Sequence, residues 1–552
     1  MLLPSAVADL SGQHAAPPIP MNSQYKPLPQ PAQSTAPLVL VEGFMSYTSE
    51  YFWGDFETHL NAHRARIGSK KRRHIMFARV SPVNSVHDRA CELFYLLRGG
   101  SVDYGEEHAK KHKHRRFGRH HSIGLYPSWS VEHPLHFIGH SMGGVTVVKM
   151  MTLMRDGFFG PDVHSDMVAS VTSVGSPFRG TQLTYWMIGM NESGKGHHPI
   201  SLASLISKFV HAATYFSPIL PSSLLPDFCC EARPVSMSEI SPVEFLKQLW
   251  KSDWSGGKDC IPWDCTFEAA EERDEEYLRT GASLGKTWYR SYVTTFTNRA
   301  DPVEPYHVPF LRRIASSPPM WLSAFITGGY DFSTIRPVPS FLRRTKPSSS
   351  EFPCSPPSPS GSSISSAYDS ETESEYFSVD EDSDAETVTG DTPFPTSLAM
   401  ERILDEDEAT EGGELKNPFE LGEAYYSNDG VAPVFSLWHP GSCSSEHCIH
   451  YPPLSGTARL PVDHLRAKLV PRPGVWNVVT VEDAHHLSLM PLWTGSKKQQ
   501  TFWYGLGEWL EEVDHARHFF DIMEGKRDTR ITSSPSAVHL KKLGKHPIVI
   551  SN

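Results

Sequence analysis

Short apolar runs alternate along this chain with longer stretches of helical period. Ala36-Pro-Leu-Val-Leu-Val-Glu-Gly-Phe44 reads as a buried strand ending in a glycine turn, and His74–Val80 as a second strand. From Asp88, DRACELFYLLRGG places apolar residues at helical spacing and stops at Gly99-Gly100. PLHFIGH, ending at His140, predicts a third strand, and VTVVKMMTLMRDG behind it a helix that ends at Gly157. MVASVTSVGSPFRG predicts another strand and turn. Strands alternating with helices point to an α/β fold with a mostly parallel sheet and helices on both faces.

The pattern breaks in four places. Residues 1–36 are rich in Pro, Ser and Gln and read as a disordered tail. Between about Ser204 and Trp250 the chain is apolar but cut by prolines, which suits a loosely helical insertion packed on the core. Residues 347–414 turn Ser/Pro-rich and then acidic, too poor in apolar surface to offset the entropy of ordering. They are expected to be a disordered insertion within a core running over 37–346 and 415–525, since lengthening a flexible loop twofold costs only about 0.6 kcal/mol. Within that insertion Ser370, Ser378 and Ser383 have acids three residues downstream, a pattern that suits an acid-directed kinase. An amphipathic stretch, TFWYGLGEWLEEVDHARHFFDIM, closes the core, and residues 526–552 read as a C-terminal tail.

Composition narrows the classes. The net charge of −12 is concentrated, because about 17 acidic and two basic residues lie between Asp369 and Lys416. The remainder is slightly basic, so charge names no partner, and nucleic acid is not expected from Lys70–Arg73 and Lys110–Arg116 alone. Eight cysteines in 552 residues do not make a disulfide scaffold. Cys443, His447, Cys448 and His450 look metal-like on paper, but their spacing fits no structural zinc motif, and idle thiols are the expectation there. No apolar run is long enough for a membrane span, and the first residues lack the basic start and apolar core of a secretory signal. A cytoplasmic or lipid-surface location is expected.

Gly139-His140-Ser141-Met142-Gly143 is the strongest chemical signal. A G-x-S-x-G pattern carries weight where a strand enters and a helix leaves, and both are predicted here. The tight turn projects Ser141 from the strand end, where the helix N-terminus favours developing negative charge. A serine needs a base, usually an imidazole oriented by a carboxylate, and on this type of fold the order is Ser, acid, His. His485 and His486 follow a buried strand late in the chain, and Asp429 precedes a turn glycine in YYSNDGV. In HAKKHKHRR, His108 and His112 would share a helical face at i, i+4.

Asp88-Arg-Ala-Cys-Glu92, Gly99–Gly105, His108 and Arg116–Arg119, with VEGF, GHSMGG, NDGV and GVWN followed by HHL, resemble the zinc-containing bacterial lipases of the staphylococcal and thermophilic-bacillus type. The likeness covers most of residues 36–270 and 418–515 and implies an α/β-hydrolase fold with a Ser141–His486–Asp429 triad. It further implies an oxyanion hole from the backbone N–H groups of Phe44 and Met142, and a lid over about 185–255. A structural zinc is implied on Asp88, His108, His114 and Asp264; His108 and His114 cannot face together on a regular helix, so a loop is required between them. The implied activity is acyl-ester hydrolysis, triacylglycerols included, at a lipid–water interface. An acyltransferase or thioesterase with the same triad, or a catalytically impaired lipid-binding scaffold, are the alternatives.

Three departures stand out. Glu42 replaces the histidine that usually precedes Gly-Phe and brings a carboxylate next to the oxyanion hole. Ser488 and Trp493 stand where the family's calcium ligands are acids, so calcium is not expected. Between about Tyr289 and Pro347 the likeness fades, and the second half of the lid cannot be placed.

Overall fold

Along the first strand, Val39 and Val41 pack with the helices Val86–Arg98 and Met142–Arg155, while Leu38 and Leu40 pack with the long helix Lys497–Thr532. All four side chains are buried. A strand apolar on both faces belongs in the middle of a two-sided parallel sheet, and burying each such side chain is worth about 1.5–3 kcal/mol. The computed structural model describes residues 35–46, 53–69, 71–190, 201–220, 227–250, 256–281, 285–343, 420–454, 472–490 and 496–532, with 252, 416 and 417 besides. The expected tail 1–36, apart from its last two residues, and the expected insertion 347–414 with Ser370, Ser378 and Ser383 lie outside the described residues.

Eleven strands are described: β1 (Leu38–Val41), β2 (Ile75–Ala78), β3 (Gly100–Asp103), β4 (Phe117–His121), β5 (Leu135–His140), β6 (Val168–Val174), β7 (Trp288–Thr295), β8 (Thr297–Arg299), β9 (His307–Pro309), β10 (Cys448–Leu454) and β11 (Trp476–Glu482). Seven of them form one sheet in the order β10-β11-β7-β6-β5-β1-β2. Every pairing in it is parallel. Helices cover both faces, as expected. β3–β4 and β8–β9 are separate antiparallel pairs.

The helix foreseen from Asp88 begins two residues earlier, at Val86, because the Ser85 hydroxyl caps it by accepting from Asp88 N at 3.2 Å. The expected insertion after Ser204 forms two helices, Leu202–Phe216 and Pro242–Trp250, held together by Tyr215 stacked on Phe245 at 4.0 Å. The last helix runs to Thr532, so the tail expected from 526 begins as helix. β7 and β10 were not foreseen, nor was the helix Pro318–Gly328, in the stretch where the likeness fades.

Sheet pairing crosses the long insertion, since β7 lies before it and β10 and β11 after it. At its base Lys416 N donates to Leu342 O at 2.8 Å, so the flanking segments already meet. Replacing residues 347–414 with a short Gly/Ser linker should therefore leave the melting temperature within a few degrees of the parent. A loss of soluble, cooperatively melting protein would contradict that.

Candidate active site and metal centre

Ser141 sits between β5 and the helix Met142–Arg155 with φ 54° and ψ −129°. A non-glycine residue held there costs about 1–3 kcal/mol, and the surroundings show what enforces it. A Cβ on Gly143 would lie 2.1 Å from Val41 O, and one on Gly139 2.3 Å from Gly144 N. The turn is thus pressed onto the end of β1. Gly43 is pressed onto the nucleophile in turn, with its missing Cβ 2.6 Å from Ser141 Cβ. Phe44 follows in that loop, and Met142 opens the helix, where an N–H has no partner within the helix.

The carboxylate of Asp429 is fully buried and fully engaged. Its Oδ1 accepts from the N–H groups of Val431 and Ala432, both at 2.9 Å, and its Oδ2 from Thr294 Oγ1 at 3.1 Å and His486 Nδ1 at 2.8 Å. Burial pushes this carboxyl up, but His486 and the two backbone donors outweigh it and hold it below the usual range. His486 N also donates to Asp429 O at 2.9 Å. The neighbouring His485 faces elsewhere: its ring lies against Phe296 at 5.5 Å, and its Nδ1 accepts from Leu487 N at 3.2 Å. Of the two histidines, the one paired with the acid is His486.

The elbow and the pair meet through His140, whose Nε2 lies 3.1 Å from His486 O and whose ring centroid is 4.9 Å from that of His486. Among the described residues no hydrogen bond joins Ser141 Oγ to His486, as is common before substrate binds. Glu42 is partnered: Trp53 Nε1 donates to its Oε1 at 2.7 Å, and Arg89 donates to its backbone O.

The zinc-type residues converge, with one correction. Asp88, His108, His114 and Asp259 each offer a ligand atom, all within 4.8 Å of one another. Asp264, expected as the fourth, is committed elsewhere: its Oδ2 accepts from Val86 N at 2.7 Å and its Oδ1 from Arg273 at 3.1 Å. A bridge between Asn84 and Cys260 selects Asp259 by laying it beside the start of the Asp88 helix. His108 lies on the helix Glu106–His112, and Lys113 in left-handed conformation (φ 58°) ends that helix, so His114 turns back to within 5.4 Å of the His108 ring. The loop that the pair requires is this one residue.

Asp88 Oδ1, His108 Nε2 and His114 Nε2 are buried without a hydrogen bond, yet His108 Nε2 lies 3.1 Å from Asp88 Oδ1 and 3.2 Å from Asp259 Oδ1. Burial pulls His108 down, but the carboxylates of Asp259 and Asp88 lift it to about 9, so the cluster wants a positive charge. A divalent cation would supply it, and two carboxylates with two imidazoles fit one. Arg233, which sequence reasoning missed, donates to Oδ2 of both Asp88 and Asp259 and leaves their Oδ1 atoms beside His108. Ser488, at a position relevant to calcium, accepts from His485 N at 2.8 Å; Trp493 lies outside the described residues.

A single parallel sheet with a strand–Ser141–helix elbow and a buried acid–histidine pair makes this an α/β-hydrolase fold. Residues 34–193 match the family described as "Lipase-like, C-terminal domain". The chain is 33% identical over 168 residues to Lipase 1 of Staphylococcus aureus, covering 26% of this chain and 24% of that one. It is 33% identical over 175 residues to a lipase of Staphylococcus hyicus, covering 28% and 26%. The match thus spans about a quarter of the length of these curated relatives. The crystal structure of Staphylococcus hyicus lipase superposes with TM-score 0.55 at 19% identity, covering 88% of this chain and 97% of that one. The resemblance to staphylococcal-type lipases holds. Its sequence match includes Phe44, Asp88, His108, His114, Ser141 and Met142, and ends before Asp259, Asp429 and His486.

Asp259→Asn should lower the bound metal by about one ion per chain. Asp264→Asn should cost stability, about 1–3 kcal/mol for an orphaned buried partner, but leave metal content unchanged. Elemental analysis of both variants checks this, and the reverse pattern would restore Asp264 as the ligand.

Proposed function

We propose that the protein is a lid-bearing serine lipase or carboxylesterase acting on acyl esters, triacylglycerols among them. The observation that carries this reading is the strained Ser141 elbow set against the buried His486–Asp429 pair. Ser141 Oγ attacks the ester carbonyl as His486 Nε2 takes its proton, and the backbone N–H groups of Phe44 and Met142 receive the oxyanion. The tetrahedral adduct collapses to an acyl-enzyme while His486 returns the proton to the departing alcohol. Water, deprotonated by the same imidazole, then releases the carboxylic acid and restores the serine. Asp429, already saturated with donors, orients the ring and stabilises its charge.

The cluster of Asp88, His108, His114 and Asp259 takes zinc in this reading. Four protein ligands leave no open position for substrate, so its role is structural, tying the segment around 259 to the core. The likeness to lipases supports lipid as the substrate class, and so does the region expected as a lid. Leu205, Phe209 and Leu246 stand exposed on its two helices, as does Trp250 at 91%. Opposite them in sequence, Leu322 and Phe325 are exposed on the helix Pro318–Gly328, whose Ser323 and Ala324 grip the Asn428–Gly430 turn. Apolar surface of this kind fits a lipid–water boundary.

Ser141→Ala should lower ester turnover by up to about 10⁶-fold, and His486→Ala should follow it, while His485→Ala keeps most activity. Hydrolysis of a soluble p-nitrophenyl ester reads all three; near-parent rates for Ser141→Ala would end the assignment. Glu42 gives a pH signature. Burial, opposed by Trp53 and Arg89, raises its carboxyl to about 7, so it is neutral below that pH and anionic above it. An anion there opposes the developing oxyanion, so Glu42→Gln should match the parent at pH 6 and exceed it several-fold at pH 8.5. Parallel pH–rate profiles would show that Glu42 does not face the reaction.

A further inference from the structure

A second convergence of metal-ligating side chains lies well away in sequence from the Asp88 cluster. His439, Cys443, Cys448 and His450 each offer a ligand atom, all within 4.8 Å of one another. We propose that these four residues form a second, structural metal site for zinc or a cation of similar softness.

Local structure brings them together for identifiable reasons. Cys448 and His450 are two apart on β10, so their side chains leave the same face of that edge strand. A turn in which His447 N and Cys448 N both donate to Ser444 O, at 3.1 and 3.0 Å, folds Cys443 back toward them. His439 arrives from the other side, just beyond the short helix Val434–Leu437. It is completely buried, and Cys448 nearly so. His447, which the bare spacing suggested, is turned out of the group: its Nε2 lies 3.0 Å from Pro440 O, and His439 takes its place.

The spacing fits a tetrahedral ion. Zn–S near 2.3 Å and Zn–N near 2.0–2.1 Å imply sulfur–nitrogen separations of about 3.5 Å around the metal. Cys443 Sγ lies 3.3 Å from His439 Nε2 and 3.7 Å from His450 Nε2. Surrounding groups prepare the ligands. His439 Nδ1 is 2.9 Å from Pro440 O; a carbonyl only accepts, so Nδ1 carries the proton and the Nε2 lone pair faces the cluster. Trp438 stands edge-on to His450 at 4.8 Å and screens that side from water. Two thiolates with two imidazoles favour zinc over the oxygen-seeking calcium and magnesium. On binding, the two thiols give up their protons to solvent and the imidazoles coordinate as neutral rings.

The consequence is mechanical. Arg179, just beyond β6, donates to His439 O at 3.2 Å and to Gly441 O. An ion held here would clip the 439–450 segment to the sheet edge, ten residues past the acid Asp429. With four protein ligands it has no place for substrate.

Cobalt(II) exchanged into the purified full-length protein distinguishes this site from the Asp88 cluster, which contains no sulfur. The expected result is a thiolate-to-cobalt charge-transfer band that disappears in Cys443→Ser and Cys448→Ser and persists in Asp88→Asn. Native metal content should fall by about one ion per chain in either cysteine variant, with a lowered melting temperature. If those variants do not fold, the band in the parent still decides. Its absence from cobalt-loaded parent protein overturns the proposal. So does recovery of a Cys443–Cys448 disulfide from metal-replete protein.

Discussion

Three strand ends touch at the elbow because glycines leave no side chain between them. Gly143 lets the helix start press against Val41 O, Gly144 admits Ser176 Oγ to 2.2 Å of where its Cβ would be, and Gly139 lets the turn close on itself. A single methyl at any of these positions would force its neighbour to move, the end of β1 at Gly143 and the turn itself at Gly139. With them in place, Ser141 is held in a conformation it would not choose. The segment carrying Glu42 and Phe44 is fixed beside it. Gly175, at the end of β6, likewise leaves room for the His486–Asp429 pair, with its missing Cβ 3.1 Å from His486 Nδ1. The site is thus assembled from the edge of the sheet, and chain segments far apart in sequence only need to reach it.

Those segments come from loops, which a sheet does not hold rigid, and the structure braces them with polar clusters. Asp429 is saturated by four hydrogen bonds and by the helix Pro318–Gly328 packed on its turn. The Asp88 cluster ties the segment around Asp259 to the helix Val86–Arg98 on one flank. The His439 cluster draws the chain beyond Asp429 onto the edge strand on the other. Both groups share one construction: ligand atoms converge in a buried space, and an outer partner, Arg233 or the Pro440 carbonyl, fixes their orientation.

What could be read from residues alone was what local order determines. Ser141 could be singled out because strand, turn and helix are contiguous, whereas Asn-Asp-Gly by its own chemistry marks only a turn, and naming Asp429 the acid needed the family resemblance. Choosing His486 over His485 needed the family resemblance, since both follow the same strand. Asp259 was missed because Asp264 is an equally plausible carboxylate five residues on, and only the tertiary bridge to Asn84 decides between them. His439 was missed for the same kind of reason. Its partners lie up to eleven residues away, across a turn whose direction no periodicity announces. β10 hid behind Pro452 and Pro453, which an edge strand tolerates, with a register shift between Tyr451 and Leu454.

The central claim is that Ser141, activated by His486, is the nucleophile. Labelling of the native protein with a fluorophosphonate, followed by peptide mapping, tests it most directly, because the probe reacts covalently with an activated serine and needs no knowledge of the natural ester. The account predicts one adduct, on the peptide containing Gly139–Gly143, formed in the parent and lost when His486 is replaced by alanine. An adduct on another serine, or an unreactive Ser141 in folded protein, would contradict it.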